Sequence, residues 1–338
     1  MRFQIKVRQI AEPFPADMGQ TVLDAAFAAG HDYPCGCQSG NCGACKSILL
    51  SGEVDMSPYS DYALTAEEKA AGRVLACRAV PASNIEIAWL NEDDLAEHPQ
   101  RTLDCRVISC DRLTHDIYRL RLEITAGGPF IFSAGQYARI FFAGLPGRDY
   151  SMASQPDDAV LEFHIRTLDG GAVSRHVQEH LKAGDRVRVE GPRGVSFLRE
   201  KHTGPILAIA GGSGLAPVLS IVERALRQGA GQPVHLYFGV RDERDLYGEE
   251  RFRILSKQHP NFQFTPVLSN PAGETARRTG FLAEILTADL RDVDGMKAYL
   301  AGPPIMVETC VKVLTRLGLS KEHCHADAFY TEADKVSP

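Results

Sequence analysis

The sequence predicts a chain of several domains: a small α+β unit, an antiparallel β-barrel and a doubly wound α/β domain. Three observations carry this. Four cysteines near the N-terminus share one tight, glycine-rich loop and one later strand. Period-two strands follow, separated by Gly/Pro turns. Beyond about residue 203 continuous apolar strands alternate with helices. A chain of 338 residues has room for two or three such domains.

The first unit is expected over residues 1–95. Phe3, Ile5 and Val7 alternate with polar residues and suggest one strand of a hairpin, with a second strand near Ile10. Thr21 caps a helix over Val22–Ala29 that Gly30 ends. The segment 47–54 reads as a strand and turn. Thr65 and Glu68 form a capping box that opens a short helix. Strands are expected over Val74–Val80 and Ile85–Trp89.

Between the first helix and the second strand pair lies Tyr33–Lys46. Cys37, Cys42 and Cys45 have the spacing C-x4-C-x2-C, and Cys77 completes a set of four. That is the ligand pattern of a plant-type [2Fe–2S] cluster, in which four thiolates complete two tetrahedral irons. Gly36, Gly40 and Gly43 let the loop wrap tightly and turn backbone N–H groups toward the sulfurs. Zinc knuckles come as paired C-x2-4-C units, which this spacing is not. A disulfide framework would need an oxidising compartment. Cys35 reads as a small buried hydrophobe, alternative ligation being its other reading.

A linker is expected at 96–101, within a charged, Pro-bearing stretch that starts near Asn91. Residues 102–202 then carry strands near Leu103–Ile108, Ile117–Ile124, Tyr137–Ile140, Leu161–Arg166 and Arg186–Glu190, with one helix over Ala172–Leu181. That describes a barrel. Arg148, Tyr150 and Ser151 sit at a strand start: a cation for phosphate, a flat ring and a short hydroxyl suited to a flavin. Alone this motif is weak, a surface Arg beside a core Tyr. Gly171, Val173 and Ser174 strengthen it, because they open a helix whose N–H groups and dipole suit a pyrophosphate. His164, Ile165 and Arg166 lie on the preceding strand, where backbone groups meet an isoalloxazine edge.

Residues 203–330 form the α/β part, and 331–338 a frayed tail. The run Pro205–Ala210 is a buried parallel strand. Gly211, Gly212 and Gly214 close it, before a helix over Val218–Arg227. The pattern is equally a tight βα turn or a dinucleotide turn, and its place after an apolar strand favours the latter. Further strands are expected at 234–239, 262–268 and 296–300, and helices at 249–258, 280–288 and 304–317. Asp242, with Glu243, follows the second strand and favours a ribose 2′-OH over a 2′-phosphate, while Arg241 pulls the other way. A solvated charged turn is the alternative. Gly302 and Pro303 end the last strand near the expected nicotinamide position.

Composition excludes other classes. Net charge is −6, which gives no support to nucleic-acid binding. No apolar run is long enough to span a membrane, and MRFQIKVRQI reads as a strand and not a signal, so the cysteines are expected in a reducing cytoplasm. Residues 1–98 carry a net −7 and the rest about +1. The acidic first unit suits docking to a basic partner patch, or solubility alone.

Together, in this order, these motifs resemble the NADH-dependent reductase components of bacterial aromatic-ring-hydroxylating dioxygenases, of the naphthalene dioxygenase type. Gly135-Gln136-Tyr137, Tyr237–Arg241, Asp245-Leu246-Tyr247 and Ala326–Tyr330 add to the likeness, which covers nearly the whole chain. The resemblance implies an N-terminal plant-type ferredoxin fold, an FAD-binding barrel and an NAD-binding domain. It implies hydride transfer from NADH to FAD, then single electrons through the [2Fe–2S] cluster to a ferredoxin or a terminal oxygenase. It makes Phe329 the C-terminal aromatic near the flavin, and Tyr150, Ser151 and Phe329 the residues at the reacting ring. A monomer without nucleic-acid or membrane partners is expected. The family usually has Cys before the last Gly-Pro, where this chain has Ala301. Other readings are a reductase for a di-iron monooxygenase or a deoxysugar dehydratase, or a redox module without turnover.

Overall fold

The computed structural model describes residues 2–90, 98–229 and 231–330. These fall into two compact units, the described residues of 1–97 with 329–338 and those of 98–328. The expected tail at 331–338 and residues 96–97 of the expected linker lie outside the described residues.

The first unit contains β1 (Arg2–Val7), β2 (Phe14–Asp17), α1 (Val22–Ala28), β3 (Lys46–Ser51), β4 (Val54–Met56), α2 (Ala66–Ala70), β5 (Arg73–Leu75), β6 (Ala79–Pro81) and β7 (Ile85–Trp89). Five strands pair in the order β2-β1-β7-β3-β5, and β4 pairs with β6. Alternation puts Ile5, Val7 and Ile87 into a core that α1 closes with Val22 and Leu23. Thr21 Oγ1 accepts from Asp24 N–H at 3.1 Å, and the Thr65–Glu68 capping box forms in both directions.

Two expectations are corrected here. The second strand lies at Phe14–Asp17 and not near Ile10, whose N–H closes a turn on Val7 O. Phe14 and Ala16 are the alternate residues that reach the core, and Pro15 is tolerated because β2 is an edge. The stretch 74–80 is not one strand. Arg78 N–H bonds Leu75 O at 2.8 Å, so Cys77 sits on a turn between β5 and β6.

In the second unit the barrel comprises β8 (Arg101–Arg112), β9 (Ile117–Ala126), β10 (Tyr137–Phe141), β11 (Arg148–Ser151), β12 (Val160–Arg166), α3 (Ala172–Glu179) and β13 (Arg186–Arg193). Strand order is β11-β10-β13-β8-β9-β12, and the Met152–Phe163 bridge brings the two edges together. β8 begins at Arg101, inside the expected linker. Leu103, Leu120, Leu122, Phe163 and Val189 fill the interior.

The α/β part runs β14 (Ile206–Gly211), α4 (Leu215–Arg227), β15 (Val234–Val240), α5 (Glu249–Gln258), β16 (Phe262–Leu268), β17 (Arg278–Thr279), α6 (Leu282–Asp289), β18 (Lys297–Gly302), α7 (Pro304–Arg316) and β19 (Cys324–Ala328). The sheet is parallel in the order β17-β16-β15-β14-β18-β19, so the order reverses beside β14. Every residue of β14 is buried, as its unbroken apolar run requires. α4 begins at Leu215, three residues before expectation, because Pro217 fits the first turn of a helix. α6 begins at Leu282, two residues late. Among the described residues no helix is long and apolar enough to cross a membrane.

Candidate functional site

The cysteine loop begins at Tyr33, which is buried, stacks edge-on with Trp89 and shares a 2.7 Å hydrogen bond with Ser47 Oγ. Gly40 and Gly43 have φ near +80°, and a Cβ on Gly43 would lie 2.8 Å from Ala63 O. Gly36 does not need positive φ. A Cβ there would instead stand 3.1 Å from Cys42 Sγ, so its absence leaves room for sulfur. Gln38, at φ 54°, shares the strained backbone of the loop.

The loop directs backbone donors at sulfur. Cys37 Sγ receives the N–H groups of Ser39, Asn41 and Cys42 at 3.3–3.5 Å. Cys42 Sγ receives those of Cys37 and Ala44 at 3.3 and 3.5 Å. Cys45 Sγ lies 3.2 Å from Cys77 Sγ. The thiols thus fall into two sets, Cys37 with Cys42 and Cys45 with Cys77. Contact with Cys42 Sγ and these amides pull the Cys37 thiol down to about 5, against burial. Its neighbour Cys42 is pushed up by that same contact and by burial, and Cys45 by Cys77 and burial. Among the described residues no three His, Cys, Asp or Glu side chains are placed to hold a single metal ion. Two dithiol sets suit two irons better than one, and N–H groups aimed at sulfur suit a cluster of bridging sulfides. The residues fit the group.

Cys35 is buried, with the Gln38 amide nitrogen 4.0 Å from its sulfur. Sequence reasoning missed two supports of the loop. Ser60 Oγ and Tyr330 OH both donate to Asn41 O, at 3.2 and 3.1 Å. Phe329, expected beside the flavin, groups with this first unit.

In the second unit, Arg148, Tyr150 and Ser151 lie on β11, paired with β10. Arg148 is exposed, and Asp149 is held by Arg139 at 2.8 Å. Tyr150 is half-buried, and burial lifts its phenol above the usual range. Ser151 Oγ donates to Asp327 Oδ2 of β19 at 3.3 Å. Gly171 caps α3 without a side-chain bond, Val173 is buried, and Ser174 Oγ accepts from Leu168 N–H at 2.8 Å. Ile165 is core. Arg166 donates to Asp116 at 2.9 Å. His164 is buried between Tyr247 and Glu162; desolvation lowers its pKa, and the Glu162 carboxylate opposes that shift.

A cavity of about 690 Å³ opens at the end of the parallel sheet where strand order reverses. Gly211, Gly212, Arg241, Pro303 and Arg166 line it, joined by residues the sequence did not single out, among them Asp116, Phe281 and Met306. This is where α/β sheets take ligands. The turn Gly211–Gly214 leads from β14 into α4, so N–H groups and the helix dipole face the opening. Close packing demands its glycines. A Cβ on Gly214 would lie 2.1 Å from Ala301 O, and Gly302, at φ 142°, passes against Gly211. Gly214 and Gly302 therefore shape the cavity from behind its wall. Phosphates and a flat base fit such a lining of glycine backbone, guanidinium and apolar side chains.

The acidic pair is engaged elsewhere. Asp242 accepts from the N–H groups of Glu243 and Ala272, at 2.8 and 3.1 Å, and Glu243 pairs with Arg277 at 2.8 Å. Arg241 is the residue of this stretch that lines the cavity together with Asp245.

Three family models match: a 2Fe-2S iron-sulfur cluster binding domain over residues 5–82, an oxidoreductase FAD-binding domain over 104–197 and an oxidoreductase NAD-binding domain over 208–312. The chain is 40% identical over 316 residues to the ferredoxin–NAD(P)+ reductase component of the naphthalene 1,2-dioxygenase system of Pseudomonas putida, covering 94% of this chain and 95% of that one. It is 38% identical to the reductase subunit of an aromatic O-demethylase of Amycolatopsis, covering 92% and 94%. The crystal structure of an Amycolatopsis cytochrome P450 reductase superposes with a TM-score of 0.79 at 37% identity, covering 97% and 98%.

Proposed function

We propose that this protein, which belongs to the family of ferredoxin–NAD(P)+ reductase components of oxygenase systems, carries electrons from NADH by way of FAD and a [2Fe–2S] cluster to a ferredoxin or to the terminal oxygenase of an aromatic-ring dioxygenase system. The observation that carries the reading is the pair of dithiol sets, three thiols from one loop wrapped with backbone N–H groups and the fourth, Cys77, from the turn between β5 and β6. Bound flavin splits the electron pair of a hydride into single electrons, which an iron–sulfur cluster accepts one at a time.

The chain's own residues hold and orient. Cys37, Cys42, Cys45 and Cys77 are the cluster ligands. Arg148 neutralises a flavin phosphate, the N-terminus of α3 at Gly171 takes the pyrophosphate, and Tyr150 and Ser151 face the ring. Gly211 and Gly212 receive the dinucleotide phosphates, Arg241 faces the adenosine end, and Gly302 and Pro303 lie beside the nicotinamide. The domains span 1–95, 102–202 and 203–328, with Phe329 and Tyr330 grouped with the first, and each encloses one matched family model. The protein acts as a monomer in the cytoplasm, and its acidic first domain suits a partner with a basic face.

NADH-dependent reduction of cytochrome c by the purified holoprotein tests the reading. Turnover supports it. A protein with full iron and FAD that gives none would be a redox module without turnover.

A further inference from the structure

Tyr247 lies between Asp245 and α5, and its ring is buried edge-on against Phe238 and His164. The phenol oxygen is 3.2 Å from His164 Nδ1 and 3.3 Å from the carbonyl oxygen of Gly212. His164 belongs to barrel strand β12, and Gly212 to the glycine turn of the α/β part. One hydroxyl therefore links the barrel to the turn that lines the cavity.

The far side of this link is anchored. His164 Nε2 is 3.3 Å from Glu162 Oε1, and Arg251 lies 3.9 Å from that same oxygen. Arg251 in turn forms a two-pronged ion pair with the buried Glu223 of α4. The near side needs an anchor. Gly212 has φ 53°, and a Cβ there would meet nothing within 4 Å, so no wall packs on the turn from that side. On that side hydrogen bonds hold the turn, and the Gly212 carbonyl accepts both Leu215 N–H and the Tyr247 hydroxyl.

We propose that Tyr247 is a positioning residue, its hydroxyl clasping the Gly212 carbonyl to His164 so that the barrel fixes the turn that receives the dinucleotide. The inference rests on the dinucleotide reading above. Tyr247→Phe retains the ring packing and removes only the oxygen.

The test is calorimetric titration of the oxidised holoprotein with NAD+, with FAD content and thermal midpoint measured alongside. Tyr247→Phe should keep its FAD and weaken NAD+ binding about five- to tenfold, the worth of one buried hydrogen bond. His164→Asn should weaken it in the same direction. The double variant should be little worse than the weaker single one, since both changes break one link. Unchanged affinity in Tyr247→Phe, or losses that simply add, would overturn the clasp. Failure of the unmodified protein to bind NAD+ would overturn the dinucleotide reading itself, and the two failures are told apart in the unmodified protein.

Discussion

Cys45 Sγ stands 3.2 Å from Cys77 Sγ across 32 residues of sequence. Cys77 reaches it from the turn between β5 and β6, and Ala76 N–H bonds Cys45 O at 3.1 Å. The fourth thiol is thus delivered by backbone bonds and not by a rigid strand. Cys77→Ser should strip most of the iron while FAD stays bound, because the two cofactors belong to separate domains. Iron analysis and the visible spectrum check this. Cys35→Ala should leave iron content close to the unmodified value.

Arg148→Ala should weaken FAD retention roughly 10–100-fold, as loss of one charge-assisted hydrogen bond to phosphate. Flavin released on dilution, read by fluorescence, measures it. Stoichiometric retention would remove Arg148 from the flavin site.

Cofactor choice turns on Arg241. Asp242 and Glu243 are tied to their own loop, so in this stretch the cavity is lined by the Arg241 guanidinium together with the Asp245 carboxylate. NADH should still be preferred by the unmodified protein. Arg241→Ala should lower kcat/KM for NADPH about tenfold more than for NADH, since only NADPH carries the extra phosphate. Equal losses with both would place Arg241 at a phosphate the two share.

Acid should weaken the α/β part. Burial lowers His235 to about 4 and His325 to about 2. Unfolded histidine binds a proton near 6.5, so below that pH the unfolded chain gains protons that the folded chain refuses. Stability is fully present above pH 6.5 and falls from there toward pH 4. The thermal midpoint should drop by at least a few degrees across this window. His235→Gln should flatten the drop, and a midpoint that does not move with pH would show that these rings take up protons while folded.

Much of this was legible in the sequence because its signals are local. Four cysteines at fixed spacing, the Thr65–Glu68 box and the apolar run of β14 each fix their element with few neighbours. β19 was missed because Cys-His-Ala-Asp-Ala has no β-branched residue and pairs only through β18. The turn at Cys77 carries no Gly or Pro to announce it. Asp242 looked like a ribose ligand because chain order cannot reveal that its carboxylate caps the next turn. Asp327 and Tyr247 stand in motifs that the sequence shows, but their side chains act on distant segments, Ser151 and Gly212, which chain order does not reveal.

The central claim is that electrons entering from NADH reach the site formed by Cys37, Cys42, Cys45 and Cys77. Anaerobic titration of the holoprotein with NADH, followed by visible absorbance and electron paramagnetic resonance, tests it most directly. The account predicts flavin bleaching together with a paramagnetic signal of the reduced cluster, lost in Cys77→Ser while the flavin still bleaches. Bleaching of the flavin with the cluster left oxidised at every NADH level would contradict it.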